Sequence, residues 1–168
     1  SGDWSSDVCS SDLTDVGSLF HSAATAHPGA VALVDGDRSW TYMELEARTN
    51  RLANALLGRG LELGDRVAIL SANRAEYFEL ELAAAKAGII VACLNWRLGA
   101  REMRHCIDLV EPKLLIVTAE LQSSLADIEL GSLAQLVIGE EYEKMLSDAS
   151  PDYPGRVVDP ESGLVILY

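Results

Sequence analysis

The sequence predicts an α/β fold, a partly parallel, doubly wound sheet flanked by helices. Short apolar runs alternate with helical segments of two to four turns, the pattern of βαβ units joined by crossovers. Ile89 to Leu94 is nearly all apolar, as expected of a strand covered on both faces. The helix before it is rich in alanine, and small side chains let a helix approach a sheet closely.

Val16, Leu19, Phe20 and Ala23 form a helical stripe over Val16 to Ala26, and Pro28-Gly29 stops it. Val31 to Val34 is a short strand. Asp35-Gly36-Asp37 turns it back onto Arg38 to Trp40, since Asp-Gly between apolar runs is a strong hairpin signal. Thr41 and Glu44 have the spacing of a capping box, in which each side chain accepts from the other residue's amide. In the helix they open, Leu45, Leu52, Ala53, Leu56 and Leu57 share one face. Glu46, Arg48, Asn50 and Arg51 are expected to face water. Gly58 and Gly60 end that helix.

Leu63-Gly64-Asp65 is a turn and Arg66 to Leu70 a strand. Asn73 with Glu76 has the spacing of a second capping box, for a helix from Arg74 to Ala87 that Gly88 stops. After Ile89 to Leu94 comes a helix from about Arg101 to Leu109, ended by Pro112. Strands follow at Leu114 to Val117 and Leu136 to Ile138, with short helices at Leu121 to Ala126 and Tyr142 to Leu146. Ser150 to Glu161 is a Pro/Asp-rich connector, and Leu164 to Tyr168 is the last strand.

Length and composition narrow the function. A chain of 168 residues has room for one domain with a real core. No apolar run approaches the ~20 residues of a membrane helix. The net charge of -13 argues against a nucleic-acid backbone partner, because phosphate binding needs clustered Lys and Arg. Cys93 and Cys106 read as buried small hydrophobes in a reducing, cytoplasmic compartment, and no cysteine spacing resembles a zinc site. His21, His27 and His105 are scattered and are assigned no chemistry.

Gly58-x-Gly60-x-x-x-Gly64 is a decoy for a dinucleotide fingerprint. It follows a helix, whereas a phosphate loop follows a strand and opens a helix. Neither G-x-x-x-x-G-K-S/T nor G-x-S-x-G is present. The chain therefore carries no self-sufficient phosphate cradle and no recognisable nucleophile.

Three pieces stand in a telling order. They are Ser39-Trp40-Thr41-Tyr42-Met43-Glu44-Leu45, then Ala85-Lys86-Ala87-Gly88 running through Ile89 to Leu94 into Asn95-Trp96-Arg97-Leu98, then Gly163-Leu164-Val165-Ile166-Leu167-Tyr168. Together, from about Ser18, they resemble the opening of the AMP-forming acyl-CoA synthetases, the adenylate-forming ligases. In that family a Thr/Ser/Gly-rich phosphate loop follows the last strand. The resemblance implies that residues 14–168 are the incomplete N-terminal part of an AMP-binding (adenylation) domain.

By resemblance, the complete enzyme is expected to activate a carboxylic acid, a fatty acid first, with ATP to an acyl-adenylate and to pass the acyl group to CoA, with Mg²⁺ at the phosphates. No catalytic or metal-binding residue falls within these 168, and the fragment alone is expected to be inactive. It is also expected to bind none of these cofactors tightly and to expose an apolar edge. A peptide-synthetase adenylation domain shares the fold, but usually has a Pro-rich, Asp-containing sequence where Asn95-Trp96-Arg97 stands. A stand-alone α/β binding module is the reading from another class. Asn-Trp-Arg-Leu leans toward medium or long acyl chains.

Arg97 is the single residue expected to touch a cofactor. It follows a strand C-terminus, where open α/β sheets put ligands, and a guanidinium suits phosphate. In the family the Arg at this position lies near the phosphates of the CoA nucleotide. The alternative is a surface arginine pairing with a carboxylate such as Glu102. Asn95 reads as closing the turn. Trp96 is either a lid over the CoA channel or a packing contact. Ser1 to Leu13, with no apolar period, reads as a translated sequencing-adapter scar. The alternative is a genuine Ser/Asp-rich tail.

Overall fold

The computed structural model describes residues 15–168. The adapter-like Ser1 to Leu13 lies outside the described residues. The elements run α1 (Val16–Ala26), β1 (Val31–Asp35), β2 (Arg38–Thr41), α2 (Tyr42–Gly58), β3 (Arg66–Leu70), α3 (Ala75–Ala87) and β4 (Ile90–Leu94). They continue with α4 (Ala100–Val110), β5 (Leu114–Thr118), a 3-10 helix (Ala119–Leu125), β6 (Ala134–Ile138), α5 (Glu140–Ser147) and β7 (Val165–Leu167).

Five strands form one sheet in the order β6-β5-β3-β4-β7, and every neighbouring pair is parallel. β1 and β2 form a separate antiparallel hairpin with a register shift between Val31 and Leu33. Helices cover both faces of the sheet. On one face Leu52, Leu56, Leu80, Ala84 and Tyr142 of α2, α3 and α5 pack on Val67, Ile69 and Ile116. On the other, Met103, Ile107 and Val110 of α4 pack on Ala68, Leu70, Leu115 and Val117. Central strands buried on both sides explain their continuous apolar runs.

Local chemistry fixes most element ends. The Thr41–Glu44 capping box forms in full: the Thr41 hydroxyl accepts from the Glu44 amide at 3.3 Å, and Glu44 Oε2 accepts from the Thr41 amide at 2.8 Å. Gly88 ends α3 in the left-handed region at φ 70°, where a Cβ would stand 2.2 Å from Leu63 Cδ1. Ala83, Ala84 and Ala87 are fully buried, so α3 seats closely on the sheet.

Three expectations need correction. The Asn73–Glu76 capping box does not form. Arg74 occupies the N-cap of α3, the Ala75 amide donates to Asp35 Oδ2 at 3.1 Å, and Glu76 is taken by Arg38 and Arg74. Second, the polar face of α2 does not all meet water: Asn50 is 4% exposed, and the Glu46 carboxylate lies against Lys86 at 2.6 Å. Third, the expected helix at Leu121 to Ala126 is a 3-10 helix, Ala119–Leu125, starting two residues and ending one residue earlier.

Candidate functional site

Because β3, β4, β5 and β7 are parallel, their C-terminal ends lie along one edge of the sheet. Ligands of open α/β sheets bind beyond that edge. A cleft of about 490 Å³ opens there, lined by Asp35 and Arg38 of the hairpin, Arg74 after β3, Trp96 after β4, Thr118 at the end of β5 and Glu120 after it. Among the lining residues the sequence offers only Trp96 as a ligand candidate. Thr118, at the end of a strand in an α/β pattern, is the one that strand-end reasoning could have found.

The turn after β4 is built locally. The Leu98 amide donates to the Asn95 carbonyl at 3.1 Å, and the Arg97 amide donates to Asn95 Oδ1 at 3.1 Å. Asn95 therefore closes the turn with both of its oxygens, as its residue type suggests. Glu102 accepts from the Gly99 amide at 3.1 Å at the start of α4. It is engaged there, and it does not pair with Arg97.

Arg97 is exposed and has no carboxylate partner among the described residues. Its guanidinium lies over the Trp96 ring, 4.9 Å from the centroid. Trp96 is itself 44% exposed, so the stacked pair stands out from the rim. Trp96 reaches the cleft; Arg97 is not part of its lining. A guanidinium over an indole face at this distance still has N–H donors to offer a phosphate or carboxylate.

The other arginines at this edge are occupied. Arg38 pairs with Glu76 at 2.8 Å and with Asp35 at 2.5 Å, and Arg74 pairs with Glu76 at 2.7 Å. Burial pushes the Glu76 carboxyl up, but hydrogen bonds from Arg38 and Arg74 outweigh it and bring it down to about 2. This cluster joins the hairpin to the start of α3 and leaves those guanidiniums little charge to offer a ligand.

The remaining reactive side chains are structural. Cys93 and Cys106 are buried free thiols, both pushed up by burial. Among the described residues no group of three or more His, Cys, Asp or Glu side chains could hold a metal ion. His21 is not the isolated side chain its sequence spacing suggests. Its Nδ1 lies 2.7 Å from Glu46 Oε1, and its ring stacks on Tyr153 at 4.2 Å. No described helix is long and apolar enough to cross a membrane.

Comparison with known proteins accounts for this architecture. The model of the family described as AMP-binding enzyme matches residues 20–168. A feruloyl-CoA synthase of Amycolatopsis sp. is 37% identical over 131 residues, 78% of this chain and 26% of the relative. The fatty acid–[acyl-carrier-protein] ligase ScoC of Streptomyces coeruleorubidus is 37% identical over 151 residues, 89% of this chain and 29% of the relative. A fatty acyl CoA synthetase of Mycobacterium tuberculosis superposes with a TM-score of 0.85 at 27% identity, over 92% of this chain and 32% of that one. The N-terminal domain of FACL13 from the same organism gives 0.85 at 26% identity, over 92% of this chain and 41% of that one. The chain thus spans under a third of the length of these curated relatives. The parallel five-stranded sheet is that of the N-terminal domains of adenylate-forming ligases. With residues 20–168 matched by the family's model, the chain belongs to the AMP-binding enzyme family.

Proposed function

We propose that this chain is the N-terminal part of an acid–CoA ligase that activates a carboxylic acid with ATP and transfers it to CoA. The observation that carries the CoA half of this reading is Arg97, an exposed guanidinium stacked on Trp96 with no carboxylate partner among the described residues. It follows a parallel strand at the ligand-binding edge. In the complete enzyme Arg97 would bind phosphates of the CoA nucleotide through paired donors, beside the Trp96 ring.

The residues present do not build an ATP–Mg²⁺ site. They include no glycine-rich loop between a strand and a helix, and no metal-holding group among the described residues. In this reading adenylate formation, and the Mg²⁺ that serves it, belong to parts of the ligase beyond these residues. The 168-residue chain alone is inactive in this reading. Acceptance of a fatty acid is supported by the kinship with fatty acyl ligases, and an aromatic acid by the feruloyl-CoA synthase. Asn95-Trp96-Arg97 favours free CoA over the carrier domain of a peptide synthetase.

In the complete ligase, Arg97→Ala should raise KM for CoA about tenfold or more, the loss of one charge-assisted phosphate contact. The rate of acid-dependent ATP–pyrophosphate exchange should not change. Unaltered CoA kinetics would remove Arg97 from the site. Thioester formation by the purified 168-residue chain, given ATP, Mg²⁺ and CoA, would overturn its predicted inactivity.

A further inference from the structure

Lys86 lies in the last turn of α3, and its side chain is fully buried. Its Nζ donates to Glu46 Oε2 at 2.6 Å, Thr49 Oγ1 at 2.7 Å and Asn50 Oδ1 at 2.8 Å, all on α2. Its three protons are thereby used. Rings from two further segments flank it: Phe20 of α1 at 5.2 Å, and Tyr153 of the connector between α5 and β7 at 6.0 Å. Burial pushes the ammonium down and Glu46 opposes that shift.

Two features go beyond a merely satisfied core lysine. The first is the Asn50 amide, which has one accepting end and one donating end. Lys86 can only donate, so it holds Oδ1 toward itself and turns Nδ2 outward. Nδ2 then donates to the carbonyl of Pro151 in the connector at 2.9 Å. The second is the approach of α1. A Cβ on Gly17 would stand 2.9 Å from both Cα and N of Lys86, so α1 rests directly on this residue's backbone. Apolar side chains replacing Lys86 together with its acceptors could fill the same space at equal or better stability. What the ammonium adds is direction.

We infer that Lys86, acting through Asn50, is a positioning residue that fixes the course of the connector over residues 148–164 and so seats β7 against β4. Asn54 Nδ2 donates to the Ser150 and Asp152 carbonyls at 2.9 and 2.8 Å, and Arg51 to the Ala149 carbonyl at 2.5 Å, so α2 is a ladder on which the connector is laid. Asn50 is the rung whose orientation is set from α3. The far end of the connector delivers the Leu164 carbonyl to the Val91 amide at 2.8 Å, where β7 begins. This inference does not depend on the proposed activity.

The test uses two variants of the 168-residue chain and two readings: the initial rate of tryptic cleavage after Arg156, in the connector, and native-state amide exchange. Lys86→Met keeps the volume and removes every donor. It should raise cleavage after Arg156 and exchange in α1 and β7 by about tenfold, leaving β3 and β5 protected. Asn50→Asp still accepts from Lys86 but cannot donate to Pro151. It should raise cleavage and β7 exchange while α1 stays at the wild-type rate. Wild-type cleavage and β7 exchange in Asn50→Asp would overturn the proposal. So would a rise of equal factor across β3, β5 and β7 in either variant, which would mark a general loss of stability. If Lys86→Met does not fold, Asn50→Asp decides by the same two readings.

Discussion

Two cations bracket β4 and share little except their charge. Lys86, just before the strand, is wholly buried and gives each proton to a fixed acceptor. Arg97, just after it, is exposed, lies on an indole and has no carboxylate partner among the described residues. Taking an ammonium out of water costs several kcal/mol unless its partners are well placed. Lys86 therefore fixes what surrounds it, and its charge is spent inside the fold. Arg97 carries no such debt, and its donors stay free for a ligand. One strand thus separates a cation that positions from a cation that can bind.

The contrast predicts that substitutions on the buried side change stability and those on the rim change ligand affinity. The largest effect should come from Glu79, which is fully buried, pairs with Arg48 and accepts from the Tyr142 hydroxyl at 2.8 Å. Glu79→Ala strands a buried phenol and leaves the mostly buried Arg48 guanidinium with only the exposed carboxylate of Glu143, and should cost about 3–5 kcal/mol in urea unfolding. A loss below about 1 kcal/mol would place this network with the rim. Gly17→Ala comes next. Its Cβ meets the backbone of Lys86, which cannot swing aside, so α1 must shift, at about 1–3 kcal/mol by the same assay.

An acid titration examines the intermediate case. Glu76 is held by Arg38 and Arg74, with Arg38 itself half exposed, so water screens part of the gain. Its carboxyl is depressed from 4.5 to about 2. The stabilisation it brings is therefore complete above pH 4.5 and is lost as pH falls toward 2. Glu76→Gln should flatten that limb of the stability curve, and a limb unchanged in the variant would assign it to other carboxylates. The smallest change in stability belongs to Arg97→Ala, within about 0.5 kcal/mol of wild type. A larger loss would mean that the stacked turn supports the fold.

How far each feature could be read from residues follows the range of the forces behind it. The Thr41–Glu44 box was legible because both partners sit within one turn of helix. The matching box at Asn73 and Glu76 failed because Arg38 and Asp35, in a hairpin almost forty residues earlier, take the carboxylate and the first amide of α3. Periodicity put Glu46 and Asn50 on the wet side of α2, since polar residues usually belong there. The buried ammonium they face comes from another helix and leaves no trace in local pattern. The partner of His21, Glu46, likewise lies on another helix, out of reach of local pattern. Apolar runs gave the strands nearly to the residue, but the order β6-β5-β3-β4-β7 is a property of pairing across distance. At the ligand edge, the general rule about strand ends pointed to the turn at Asn95–Arg97. The cleft walls come from the hairpin and from β5, and no local motif gathers them.

The place of β7 in the sheet also has a meaning in time. The other four strands all lie before residue 139; β4 follows β3 through α3, β6 follows β5 through the 3-10 helix, and β5 reaches β3 past α3, β4 and α4. β7 must bring Val165 back to Val91, past α4, β5, β6 and α5. A long loop closed late makes for slow pairing, so during synthesis the edge of β4 stands open until the connector has been laid along α2. The ribosome has time to finish four strands of this sheet before the fifth exists, and the speed at which α2 captures the connector sets how long that edge stays exposed.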